Sequence, residues 1–273
     1  MAGDRVGWET PGVSIRATLD GDPADPDRVR TLALVNLGHF TTMRVEERGV
    51  RGLGLHLDRL VRDCDQVLGV DLDAGRVRRY LRHALHGVRR PVAARVTVFD
   101  PDLDLGGLAA DATPSVLVTL RPAAPSGAGP GLRLRTAVYQ RELPSVKHTG
   151  LVGAIRLRRA AQRAGADDVL FVGAAGQVCE TSIANLGFLD GDRVVWPRAD
   201  WLPGVTMRLI DQVHPTSTEP ITQADLGTLD GAFICNSGVG LRPVAAVDDV
   251  EWPPHPALDR LRAAYEAIHP EPL

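Results

Sequence analysis

One stretch of this 273-residue chain limits the folds open to it more than any other: RPAAPSGAGPGL, residues 121–132. Proline and glycine interrupt helices and sheets alike, and the alanines and serine between them bury little, so the stretch reads as a linker. It separates residues 1–122 from 133–273, with 123–132 as the connection. Two modest domains sharing an interface suit a chain of this length, which can bury a core without a disulfide or metal staple.

The periodicity on either side excludes a regular alternation of strands and helices. In the first half, HFTTMRVE (39–46) reads as a strand with Phe40, Thr42, Arg44 and Glu46 on one face and Thr41, Met43 and Val45 on the other. Leu57, Leu60, Val61, Cys64, Val67 and Leu68 then recur at helical spacing through 56–69, and Val77, Leu81, Ala84, Leu85 and Val88 mark a second helix. VAARVTVF (92–99), with Arg95 and Thr97 on one face, and SVLVTL (115–120) read as further strands. After the linker come a strand at LRLRTAVYQ, a helix from Leu151 to about Ala164, and a strand series DDVLFV, QVCET, ANLGFL and DRVVW. Asp190-Gly191 is a hairpin signal between the last two strands. A helix begins after Pro203-Gly204, strands follow at AFICN and LRPVAAV, and a helix closes the chain near 256–268. The pattern is α+β, not a doubly wound parallel sheet.

Composition removes several functional classes. A net charge of −3 offers no basic excess for nucleic acid. No apolar run approaches the length of a membrane span, and MAGDRVGWETPGVSI at the start carries no secretory signal. Cys64, Cys179 and Cys235 are odd in number and widely spaced, which suits reduced thiols in a cytoplasmic protein. No metal site is expected. Arginine is so heavily preferred over lysine that a functional lysine stands out.

That lysine is Lys147, in PSVKHTG between a strand and a helix. Isolated, it would be read as a solvated loop residue; its companions change the reading. Glu180 ends QVCE, Arg59 sits in HLDRL, and Gly204-Val205-Thr206 opens a helix. A lysine amine can form an imine with an aldehyde cofactor and then move protons. A carboxylate can keep a pyridine nitrogen protonated so that the ring accepts electrons. A phosphate dianion is met by a helix N-terminus that lets backbone approach, with an arginine fork beside it.

These segments, in this order, resemble the class IV aminotransferases, the fold-type IV pyridoxal-phosphate enzymes that include branched-chain aminotransferases, D-amino acid aminotransferases and aminodeoxychorismate lyases. GHFTTMRV with HLDRL, VKHTG, DDVLFVGAAGQVCETSIANLGF, LPGVT and CNSGVGLRPV carry the resemblance, from about residue 36 to 250. It implies a small α+β domain over 1–122 and a larger, barrel-like, cofactor-binding domain over 133–273, joined in a homodimer. It implies pyridoxal 5'-phosphate as cofactor, Lys147 as the Schiff-base lysine and Glu180 as the partner of the pyridine nitrogen. Arg59, Val205, Thr206 and Ser237 would hold the phosphate, and Arg44, Arg95 and Gly238 would meet the substrate carboxylate.

The chain departs from the family pattern in places. Gly187 stands where an aromatic often follows the asparagine at the place of Asn185, Trp196 precedes Pro197 where threonine is common, and Met207 follows Thr206 where arginine or lysine is usual, with Arg208 next. The resemblance implies transamination between a small amino acid and a keto acid. The alternative, suggested by FTTMRV, VKH and ICNS, is a 4-amino-4-deoxychorismate lyase that releases pyruvate.

Overall fold

The computed structural model describes residues 16–127 and 129–273. The reading of residues 1–15, and Ala128 of the linker, lie outside the described residues.

Five strands form the first sheet: β1 (Arg16–Leu19), β2 (Asp22–Pro23), β3 (Gly38–Val45), β4 (Val92–Phe99) and β5 (Ser115–Pro122), in the order β2-β1-β5-β4-β3. All its pairings are antiparallel. Two short helical turns, α1 (Pro26–Val29) and α2 (Thr31–Leu34), link β2 to β3. Helices α3 (Leu53–Leu68) and α4 (Ala74–Ala84) cover one face. Leu53, Leu57, Leu60 and Cys64 lie on one stripe of α3 and pack with Met43, Val45, Val96 and Val118 of the sheet. The other face of β3 carries Phe40, Thr42 and Arg44. Helix α4 ends at Ala84, so Val88 lies beyond it, after Gly87 turns the chain at a φ of 70°.

The second sheet closes on itself. Strands β6 (Leu132–Val138), β7 (Asp168–Val172), β8 (Val178–Thr181), β9 (Asn185–Asp190), β12 (Gly231–Asn236) and β13 (Gly240–Val247) pair in the ring β9-β12-β13-β6-β7-β8-β9. Only β13–β6 and β6–β7 are parallel, the latter joined through helix α5 (Val152–Arg163). Strand β8 meets β9 at a single residue pair, Glu180 opposite Asn185. The Asp190-Gly191 hairpin leads to β10 (Arg193–Pro197), beside which β11 (Thr216–Glu219) runs parallel, and β14 (Val250–Glu251) pairs with β13.

Alternation decides what each barrel residue meets. Leu134, Leu170, Val178, Phe188, Ile234 and Val244 pack together from all six strands of the ring. The intervening Phe233, Cys235 and Leu241 meet α6 (Val205–Val213) and α7 (Pro256–Glu266), while Val169, Phe171 and Cys179 meet α5. Gly187 has a packing reason. A Cβ there would come within 2.5 Å of the Phe233 ring and 2.6 Å of Trp196, two rings packed edge to face. The short β1, β2, β11 and β14 escape the sequence reading because so few residues show no period.

The last residues of the chain return to the first sheet. Val50 and Glu271 exchange backbone hydrogen bonds at 2.9 and 2.8 Å, and Leu273 joins the core beneath α3. The Glu271 carboxylate accepts from Gly54 N at 2.9 Å, capping a helix whose own cap residue, Gly52, has no side chain to do so. Removing residues 270–273 should therefore cost about 1–2 kcal/mol and lower the melting temperature by roughly 3–6 °C. An unchanged circular-dichroism melting curve would show that the tail contributes nothing.

Candidate active site

Lys147 lies where the two sheets meet. Phe40 N donates to Lys147 O at 2.8 Å and Thr149 N to Gly38 O at 2.9 Å, so residues 147–149 run as an extra rung along the start of β3. Asp63, buried on α3, accepts from Lys147 N at 2.9 Å, and Arg62 donates to Ser145 O at 3.0 Å. On the barrel side Arg141 donates to the carbonyls of Pro144 and Val146. The loop is thus held from both sides, and the amine of Lys147 lies 5.1 Å from the centre of the Phe40 ring.

The electrostatics of that amine are unusual for a lysine. Burial pushes its pKa down to about 7, Arg59, Arg141 and Arg95 add to the effect, and Glu180 opposes it. A large fraction of Lys147 is therefore a neutral nucleophile near neutral pH, a state that an exposed lysine reaches only above about 10.

Glu180 is buried at the barrel's closing pair. Its Oε1 accepts from Arg141 Nε at 2.8 Å and its Oε2 from Leu202 N at 3.3 Å. Arg141 is the functional-site residue that the sequence reading missed. It joins the carboxylate to the lysine loop, yet it stands 39 residues from Glu180 with no local pattern to mark it.

Arg59 is 4% exposed, and burial, partly offset by Asp63, lowers its pKa to about 10. Its Nη2 donates to Thr41, while its Nε has no partner among the described residues. The start of α3 touches the start of α6, since a Cβ on Gly52 would lie 2.9 Å from Val205. No side chain caps the N-terminus of α6, where Val205 and Thr206 are buried. Gly204 leaves no room for a side chain, because a Cβ would sit 2.0 Å from Asn185 Oδ1, whose amide is held by Leu202 O at 2.8 Å. Ser237 and Gly238 are half-buried in the β12–β13 loop, shaped by Asn236 Oδ1 accepting from Gly238 N and Val239 N.

The two other arginines differ. Arg95 stacks on Phe40, its guanidinium carbon 3.6 Å from the ring centre, and bonds Thr97 at 3.3 Å, so it shares the Phe40 ring with Lys147. Burial, with Arg121 nearby, lowers its pKa. Arg44 is engaged by Glu46 at 3.3 Å and Ala124 O at 2.6 Å, and borders a cavity of about 200 Å³ with His56, Ser237 and Val239.

A small antiparallel sheet packed on a larger closed barrel is the fold-type IV architecture. The branched-chain aminotransferase of Thermoproteus uzoniensis, solved with norvaline, shares it at a TM-score of 0.81 and 20% identity, over 93% of this chain and 94% of that one. The 4-amino-4-deoxychorismate lyase of Pseudomonas aeruginosa matches at a TM-score of 0.75 and 26% identity, over 90% and 97%. Residues 38–247 match the family described as Amino-transferase class IV, and the chain belongs to that family. Branched-chain-amino-acid aminotransferase-like protein 2 of Arabidopsis thaliana is 28% identical over 152 residues, which is 50% of this chain. This chain spans only 27% of the length of that relative.

Proposed function

We propose that the protein is a pyridoxal-phosphate-dependent aminotransferase acting on a small amino acid and keto acid pair. The observation that carries this reading is the Lys147 amine, driven to a pKa of about 7 within reach of the charge of Glu180 and Arg59. The residues suit the cofactor: an unpartnered Arg59 Nε, an uncapped helix start and a side-chain-free Gly204 fit a phosphate. Arg59, Val205, Thr206 and Ser237 would hold that phosphate, and Glu180 the pyridine nitrogen. Bound there, pyridoxal phosphate supplies an aldehyde that captures amines and a ring that accepts electrons.

The remaining work belongs to the chain's own groups. Lys147 would hold the cofactor through its amine and, once released as a neutral amine, would take the proton from the substrate Cα. Glu180, fixed by Arg141 and Leu202 N, would keep a proton on the ring nitrogen. Arg95, stacked on the Phe40 ring that the Lys147 amine also approaches, is the better candidate for the substrate carboxylate, with Arg44 and Gly238 as the others. The family resemblance supports a homodimer. The three buried free thiols support a cytoplasmic location, and no described helix is long and apolar enough to cross a membrane.

Incubation with an amino donor alone should abolish the visible absorbance of the lysine-bound cofactor, and a keto acid should restore it. The likeness to the Pseudomonas aeruginosa lyase favours a second reading, release of pyruvate from aminodeoxychorismate. That reading replaces the first if every donor leaves the spectrum unchanged while aminodeoxychorismate yields pyruvate.

A further inference from the structure

Strand β3 and helix α3 enclose a polar layer inside the apolar core of the small sheet. His39, Thr41, His56, Arg59 and Asp63 are each 4% exposed or less. Groups buried this deeply destabilise the fold unless they satisfy one another. Arg59 Nη2 donates to Thr41 Oγ1 at 2.5 Å, and Thr41 Oγ1 lies 2.7 Å from His56 Nδ1. A guanidinium has only donors, so the threonine oxygen must accept. His56 Nδ1 meets the same oxygen at 2.7 Å, and this contact fixes the hydroxyl in either ring tautomer. Burial first, then the charges of Arg59 and Lys147, hold its pKa well below the ordinary histidine value, so the ring is neutral.

The obvious competitor for Arg59 is already occupied. Asp63 Oδ1 accepts from Arg62 at 2.7 Å and Oδ2 from Lys147 N at 2.9 Å. Arg59 is therefore steered by a neutral hydroxyl, and its charge is not neutralised by direct pairing with a carboxylate. A neutral acceptor orients the fork and leaves its positive charge for a dianion, whereas a bound carboxylate would compete with that dianion.

We infer that Thr41 and His56 are positioning residues for Arg59. His56 orients the Thr41 hydroxyl, Thr41 takes one guanidinium hydrogen, and the remaining donors, the unpartnered Nε among them, are presented to the cofactor phosphate. The inference rests on the proposed pyridoxal-phosphate site and adds a specific consequence. The relay contributes to affinity for the phosphate and not for the rest of the cofactor.

The test compares binding of pyridoxal phosphate and of pyridoxal, which lacks the phosphate, to cofactor-free protein, read by the absorbance of the lysine-bound chromophore. Thr41→Val keeps the shape and removes the hydroxyl. It should raise the Kd for pyridoxal phosphate by about 10- to 100-fold, the weight of a charge-assisted hydrogen bond, and that for pyridoxal by less than about threefold. Thr41→Ser should restore most of the loss. His56→Phe, which keeps a ring and removes the nitrogen that holds the hydroxyl, should repeat the phosphate-specific loss at roughly threefold to tenfold, and it serves as the test if Thr41→Val does not fold. Equal affinity in wild type and variants, or equal loss for both ligands, would overturn the relay. Failure of the wild type to bind pyridoxal phosphate would instead overturn the proposed function.

Discussion

Replacing Lys147 with alanine is expected to abolish covalent attachment of pyridoxal phosphate and to slow turnover on the order of a thousandfold or more, the scale of a lost proton-transfer group. The chain makes this substitution unusually clean. Of its 31 basic Lys and Arg residues, 30 are arginine and one is Lys147, so the variant has no side-chain amine left anywhere. Borohydride reduction of the wild type should fix the cofactor in the peptide containing Lys147. Label on the N-terminal α-amine instead, or a Lys147→Ala protein that keeps the lysine-type spectrum, would refute the assignment. The pH dependence has a definite sign. An amine whose pKa is lowered to about 7 is protonated and unreactive below that value and neutral above it. Capture of added pyridoxal phosphate by cofactor-free protein should therefore accelerate as pH rises through about 7 and then level. An ordinary lysine would still be accelerating near its usual value of 10.5.

Glu180→Gln should leave the cofactor bound and turnover reduced on the order of a thousandfold. A carboxylate can hold a proton on a pyridine nitrogen by charge; an amide cannot, and the ring becomes a weaker electron acceptor. The local geometry adds to the effect. Both carboxylate oxygens face donors, Arg141 Nε on one side and Leu202 N on the other. An amide has one oxygen, so its NH2 group must point at another donor. Absorbance should report intact attachment at Lys147 while steady-state assays report the lost rate, which separates this variant from Lys147→Ala. Near-normal turnover would show that Glu180 is not the partner of the ring.

What the sequence disclosed depended on whether a residue's role had a local signature. Lys147, Glu180 and the Gly204-Val205-Thr206 turn could be picked out as candidates because each lies in a short motif and the motifs follow in a fixed order. The long strands and helices were legible because their apolar period is sustained, as in α3 and β4. Arg141 was not, since its value comes from a fold that brings residue 180 beside it. Nor was the Arg59–Thr41–His56 layer: on a strand face of Thr41, Met43 and Val45, a threonine reads as filler for the core. The barrel was expected from the resemblance alone; β8 is four residues long and meets β9 once, so the residues carry no local mark of its closure.

That one rung, Glu180 opposite Asn185, has a consequence for how the molecule answers to its ligand. Asn185 also braces Leu202 O and the Gly204 turn, and Glu180 braces Leu202 N, so the rung that closes the barrel also holds the turn before α6. A three-residue turn, with Thr181 N donating to Ala184 O at 2.9 Å, joins the same two strands beside that rung. A ligand that grips Glu180 would therefore load this corner of the barrel, and by mass action a hundredfold excess over its Kd would deepen the native well by about 2.7 kcal/mol.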